Sequence, residues 1–137
     1  MSEERNVYVN LPVKDLKASV AFFTQLGFEF DPRFTDENAA AMKIGGDNAV
    51  MLLAEDFFKT FTKKAIADAT KSTEVIVAVT ASSKDKVDEM VHAALAAGGK
   101  SSNDPTVMPG MYSWSFQDLD GHLWEAIFMD MSVMPKA

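Results

Sequence analysis

The sequence contains no cysteine and only two arginines among its 137 residues. Without cysteine there are no disulfides, no thiolate metal ligands and no cysteine nucleophile. Because Arg5 and Arg33 are the only guanidinium groups and 20 acidic residues outnumber 13 basic ones, no basic stripe exists that would neutralise a phosphate backbone. We therefore expect no nucleic-acid partner.

Long apolar runs are also missing. The longest, at 49–54 and 75–79, are far shorter than the roughly 20 residues that a membrane-spanning helix needs. The acidic start MSEER lacks the basic and apolar regions of a secretory signal. We therefore expect no membrane partner and a cytoplasmic location. Hydrophobic residues make up 47% of the chain and charged residues 24%, which is typical of a globular domain.

The first half of the chain has the pattern of a strand, a helix and three more strands. The β-branched segment 7–13 precedes Asp15, a favourable N-cap, and apolar residues then recur at helical spacing as far as Gly27. Short strands are predicted at 28–34, 39–44 and 49–54, the last two separated by the turn sequence GGDN. These elements form one βαβββ set.

The same order returns in the second half. A β-rich segment at 74–80 precedes a helix that begins near Ser82 and ends before Gly98, and strands are predicted at 112–117 and 123–128 around the turn DLDG. Aromatic residues at helical spacing predict a short amphipathic helix after residue 55. We therefore predict one domain, 1–137, with modules at about 6–54 and 73–129 and a helical connector at 55–72.

Three segments resemble the vicinal oxygen chelate superfamily, which includes glyoxalase I, bleomycin-resistance proteins and extradiol dioxygenases. They are VNLPVKDL at 9–16, FFTQLGF at 22–28 and DLDGHLWE at 118–125. The resemblance implies an α+β fold of two βαβββ modules, whose strands form a curved, partly open, barrel-like trough. It also implies that first and last strands of each module supply the ligands of a divalent metal.

Carried over to this sequence, the four implied metal positions are Tyr8, Leu52, Glu74 and Glu125. Only the two glutamates are usual ligands, whereas a catalytic zinc site normally has three protein ligands. The metal assignment, to Ni, Zn, Mn or Fe, therefore rests on Glu74 and Glu125 alone, and no cofactor is certain. The resemblance therefore supports the trough-shaped fold more strongly than it supports metal-dependent catalysis.

The two glutamates are also the candidate catalytic residues. Glu125 lies in an apolar strand, so its carboxylate needs a metal, a ligand, a protonated neighbour or a structural hydrogen bond. Glu74 begins its strand and is either a site residue or a solvated strand end. If both face one cavity, repulsion between their charges would raise one pKa and create an acid and base pair.

Several other residues are candidates for ligand binding, each with an alternative structural role. Tyr8 and Asn10 share a strand face and either orient a ligand or satisfy the backbone. Aromatic residues on strands and helices more often pack in the core than stack on a ligand. The remaining candidates are Leu52, Phe57, Met111 and Trp114.

These observations predict a small-molecule-binding protein that holds an apolar or planar ligand in a sheet-lined cavity, without a complete catalytic metal site. The alternative is a metal-dependent lyase or isomerase similar to glyoxalase I. A partner-binding module is a third possibility, with no sequence feature in its favour. A homodimer is expected because open sheets leave edges that a second copy can cover.

Overall fold

The computed structural model describes residues 3–133, and the chain divides into two compact units, Met1–Ala67 and Asp68–Ala137. Nine strands and three α-helices lie within the described residues. The strands form one sheet of four and one of five. The predicted α+β fold with two βαβββ modules is confirmed.

The first unit contains a four-stranded sheet with the order β1-β4-β3-β2. The strands β1 and β4 are parallel, and the other pairs are antiparallel. Parallel strands need a long connection between them, and here the chain between β1 and β4 passes through α1, β2 and β3. The elements are β1 (Tyr8–Val13), α1 (Leu16–Gln25), β2 (Phe30–Asp31), β3 (Ala39–Gly45) and β4 (Asn48–Ala54).

The helix α1 begins where the sequence predicts. The side chain of Asp15 accepts a hydrogen bond from the backbone N–H of Ala18 at 3.1 Å, which satisfies one of the N–H groups that a helix start leaves unpaired. Phe22 and Phe23 are buried, and their rings meet edge to face at a centroid distance of 4.9 Å. Gly27 then takes a positive φ and ends the helix.

The second unit repeats this order with one additional strand. Its main sheet order is β5-β9-β8-β6, and β7 also pairs with β8. The first and last strands of the module, β5 and β9, are again parallel. The elements are β5 (Ile76–Thr80), α3 (Lys84–Ala96), β6 (Lys100–Ser101), β7 (Thr106–Met108), β8 (Met111–Gln117) and β9 (Leu123–Met129).

The turn between β8 and β9 packs tightly against the segment that precedes β5 in the same unit. Gly121 has a φ of +87°, and a Cβ there would lie 2.9 Å from the carbonyl oxygen of Ala69 and the amide nitrogen of Thr70. Only glycine allows both this backbone conformation and this approach. The glycine of the DLDG segment therefore has a structural role.

Two sequence-predicted elements are shorter in the structure. The predicted strand 28–34 is a strand only at β2, because Pro32 cannot donate to a sheet ladder and begins a 3-10 turn, Pro32–Phe34. In the predicted connector, α2 (Glu55–Phe58) and a 3-10 turn, Lys59–Phe61, are followed by irregular chain. No helix in residues 3–133 is long and apolar enough to span a membrane.

Candidate functional site

The two faces of the first sheet have different roles. Side chains alternate between the faces of a strand, and residues paired across strands share a face. One face, which we call the helix face, is buried and consists of Leu11, Ala40, Met42, Val50 and Leu52. The opposite face, which we call the cavity face, consists of Tyr8, Asn10, Asp31, Ala41, Lys43, Ala49 and Met51.

The cavity face borders a cavity of about 720 Å³. Volumes of roughly 300–1,000 Å³ are usual for small-molecule sites. The strand positions beneath it carry small side chains at Ala41 and Ala49, which leave room above the sheet. Further lining residues come from the end of β2 and the 3-10 turn after it, and from the β3–β4 turn and the start of β4: Asp31, Arg33, Phe34, Gly46, Asp47 and Asn48.

Arg33 carries one of the positive charges in the lining of this cavity, and its neighbours Asp31 and Phe34 fix its position. Its Nε and Nη2 donate to the carboxylate oxygens of Asp31 at 3.1 and 2.7 Å, and its Cζ lies 5.3 Å from the centre of the Phe34 ring. These hydrogen bonds from Arg33 lower the pKa of Asp31 to about 2. The same pairing raises the pKa of Arg33, so the pair is ionised at neutral pH.

Tyr8 and Asn10 both line the cavity, as the sequence analysis expected of two residues on one strand face. Tyr8 is 59% exposed, so a ligand has access to its phenol. Leu52 lies on the helix face and is 0% exposed, and Met51 is the β4 residue beside Asn10. The β4 residue that lies beside Asn10 on the cavity face is therefore Met51 and not Leu52, because adjacent residues of a strand point to opposite faces of the sheet.

The metal positions in the second unit also change. Tyr8 opens β1, and Ile76 opens β5 at the same distance before its helix N-cap. The structural counterpart of Tyr8 is therefore Ile76, whereas the family resemblance implied Glu74. Glu74 itself is exposed and precedes the strand.

Glu125 is half-buried on β9, where its neighbours on the two adjoining strands are Ala78 and Ser115. Glu74 lies in a bend before β5, four positions ahead of Ala78, and is not part of the β5–β9 pairing. The register thus separates the two glutamates instead of pairing them as an acid and a base. Within residues 3–133, no group of three or more His, Asp or Glu side chains is placed to hold a metal ion.

The equivalent positions of the two modules therefore hold Tyr8, Met51, Ile76 and Glu125. Only the last of these is a usual ligand for a catalytic divalent metal. The donor set does not fit the metal site that the family resemblance implies.

The other candidate ligand residues lie elsewhere. Trp114 packs on the side of β8 that faces α3, where its ring meets that of His92 at 5.3 Å and its Nε1 donates to the carbonyl of Asn103 at 3.0 Å. Phe57 of α2 contacts the ring of Phe61 at 5.1 Å. Met111 begins β8 opposite Met129. None of these three residues lines the cavity described above.

Arg33 and Lys43 are among the lining residues that the sequence did not predict. One signal was present, because Arg33 is one of only two arginines in the sequence. The predicted strand at 28–34 concealed it, since the 3-10 turn at Pro32 decides where its side chain points.

Comparison with known proteins supports the resemblance. Residues 5–45 match the family model for the bleomycin resistance protein-like N-terminal domain. No curated protein matches the chain. A hypothetical protein from S. aureus is 28% identical, with a TM-score of 0.78 over 93% of this chain and 95% of its own.

Two further solved structures share the fold at lower identity. A glyoxalase-related enzyme from Fulvimarina pelagi is 20% identical, with a TM-score of 0.77 over 98% of this chain and 100% of its own. The genomically encoded fosfomycin resistance protein FosX from Listeria monocytogenes, solved with Mn(II) and sulfate, is 20% identical, with a TM-score of 0.66 over 91% and 90%. In its N-terminal segment and its fold, the chain thus matches the glyoxalase and bleomycin-resistance proteins of the vicinal oxygen chelate superfamily.

Proposed function

We propose that the chain is a small-molecule-binding protein of the glyoxalase and bleomycin-resistance type, and that its ligand lies against the cavity face of the first sheet. The observation that carries this proposal is the cavity of about 720 Å³. Its lining combines small and flexible apolar side chains, Ala41, Ala49 and Met51, with the polar groups of Tyr8 and Asn10. This combination suits a ligand with a flat apolar part and a few hydrogen-bonding groups.

The test is fluorescence titration with the planar aromatic dye 8-anilinonaphthalene-1-sulfonate, followed by displacement with bleomycin and with fosfomycin. Saturable dye binding that weakens in Tyr8→Ala and Asn10→Ala supports the cavity. The matched control is Phe61→Ala, which removes an exposed aromatic side chain outside the cavity lining. Dye binding that all three variants leave unchanged would contradict the proposal, whichever antibiotic competes.

A metal-dependent lyase or isomerase similar to glyoxalase I is the second candidate. The half-buried carboxylate of Glu125 on β9 favours it, as does the Mn(II) in the FosX structure. The absence of other usual donors at the equivalent positions argues against it. For this reason we rank binding without catalysis first.

We also propose that the two modules act as one domain and that the chain forms a homodimer in the cytoplasm. The strands β1 and β5 each end their sheet, and Val7 just before β1 and Ile76 at the start of β5 are each 59% exposed. Exposed strand edges of this kind invite pairing with a second chain. Size-exclusion chromatography with light scattering tests the dimer, and a monomeric mass at micromolar concentration would contradict it.

A further inference from the structure

We infer that the ligand of this cavity is an anionic amphiphile, whose carboxylate, sulfonate or phosphate group binds Arg33 and Lys43 while its apolar body covers Ala49 and Met51. This inference rests on the proposed function and deepens it by naming the ligand class. Both cations line the same cavity as the apolar floor.

The geometry around Arg33 supports anion binding. A guanidinium carries five N–H donors in a planar fork, and the pair with Asp31 uses one on Nε and one on Nη2. Three donors lie outside this pair. The side chain of Arg33 is 77% exposed and that of Asp31 is 16% exposed, so the carboxylate lies on the protein side of the pair and the guanidinium on the solvent side.

The arginine is also held in place before a ligand arrives. The fork to Asp31 and the stacking on Phe34 restrict its rotamers, which lowers the entropy cost of ordering it around a ligand. The backbone N–H of Arg33 donates to Asp31 Oδ1 at 3.0 Å as well. Asp31 therefore acts as a positioning residue for the guanidinium.

Lys43 supplies the second positive charge. It lies two positions after Ala41 on β3, and Ala41 is the partner of Asp31 on β2, so Lys43 and Asp31 share the cavity face as diagonal neighbours. Asp47 in the β3–β4 turn also lines the cavity and interacts electrostatically with Arg33. Asp31 and Asp47 both oppose an anionic ligand, but the guanidinium of Arg33 lies on the solvent side of the Asp31 carboxylate.

The experiment compares two probes of one shape, 2-naphthoate and the neutral 2-naphthamide, by isothermal titration calorimetry at pH 7. We expect 2-naphthoate to bind about tenfold more tightly, the equivalent of roughly 1.4 kcal/mol. In Arg33→Gln this preference should disappear while the Kd for 2-naphthamide changes less than about twofold. Arg33→Lys should restore only part of the preference, because an ammonium lacks the planar fork.

One control variant and one further charge variant test whether the charge must lie in the cavity. Lys17→Gln removes one positive charge from α1, outside the cavity lining, and should leave both affinities unchanged. Asp47→Asn should tighten 2-naphthoate about two- to threefold, because a partly screened charge a few ångströms away contributes on the order of 0.5 kcal/mol.

Equal affinities for the two probes in the wild type, or a preference that survives Arg33→Gln, would overturn the anionic assignment and leave the binding function standing. Failure of both probes to bind at millimolar concentration would overturn the binding function itself for planar aromatic ligands.

Discussion

The carboxylate of Asp118 shows how a single residue holds the closing turn of the second module. Its Oδ2 accepts a hydrogen bond from Nε1 of the fully buried Trp124 at 3.0 Å, and its Oδ1 accepts from the backbone N–H groups of Asp120 and His122, each at 3.0 Å. Burial raises the pKa of Asp118, and the charge of His122 and these hydrogen bonds oppose that rise. The acidic start of the DLDG segment is therefore a structural group.

We expect Asp118→Ala to lower the free energy of unfolding by about 2–4 kcal/mol, because the substitution leaves a buried indole N–H and two backbone N–H groups without this acceptor. Urea denaturation measures the change. Asp104→Ala, at an exposed position of the same unit, should stay within about 0.5 kcal/mol of the wild type. Equal stability of the two variants would show that Asp118 does not hold the turn.

A second prediction at this scale concerns Asp31 and pH. Because its pKa falls from 3.8 to about 2 in the folded state, the folded chain binds fewer protons than the unfolded chain between those values. The pair with Arg33 therefore stabilises the fold fully above about pH 4, and this stabilisation is lost as the pH falls through about 2.

The melting temperatures of wild type and Asp31→Asn, measured from pH 2 to pH 7, test this dependence. The wild type should melt higher above pH 4, and the difference should shrink towards pH 2. A difference that grows on acidification would have the opposite sign and would refute the pairing.

At the scale of the strand, the sequence predicted most elements and their order, because period-2 patterning, the Asp15 cap and the glycine stops are local signals. It did not predict which face Leu52 and Trp114 occupy, since both faces of their strands carry apolar residues. Nor did it locate the counterpart of Tyr8, which it placed at Glu74 and the structure places at Ile76. The segment between β5 and the N-cap of α3 is longer than the equivalent segment before α1, and the prediction did not allow for this. The face that a side chain occupies and the register of the strands depend on tertiary packing, which local sequence patterns do not determine.

Two neighbouring residues of β4 test the assignment of faces. Leu52→Ala should cost about 2–5 kcal/mol of stability, because it empties a fully buried position on the helix face. Met51→Ala should cost less than about 1.5 kcal/mol, since Met51 is half-buried, but should weaken binding of the naphthalene probes. Chemical denaturation and calorimetry on the same samples provide both values. If the two variants exchanged these effects, the faces would be reversed.

In the whole molecule, the two modules repeat the same order of elements, but the positions equivalent to metal ligands do not carry the same kinds of side chain. Tyr8, Met51 and Ile76 occupy three of the four equivalent positions, and Glu125 alone has a carboxylate. The sequence predicted an incomplete site, and the shift from Glu74 to Ile76 makes it less complete. This donor set supports the proposal that the chain binds its ligand through the cavity and not through a divalent metal.

We therefore expect the protein, purified without chelator, to contain much less than one Ni, Zn, Mn or Fe per chain by elemental analysis. Addition of Mn(II) should not raise the melting temperature, and Glu125→Gln should respond like the wild type. One metal per chain, lost in Glu125→Gln, would restore the lyase assignment.

The alternation between the helix face and the cavity face also has a consequence for evolution and engineering. The positions that line the cavity alternate along each strand with those that hold the core. A library randomised at 8, 10, 49 and 51, with the buried Ala41 kept, would sample new ligand preferences while it preserves the buried residues of the sheet. A one-residue deletion within β4 would instead exchange the two sets and destroy both at once.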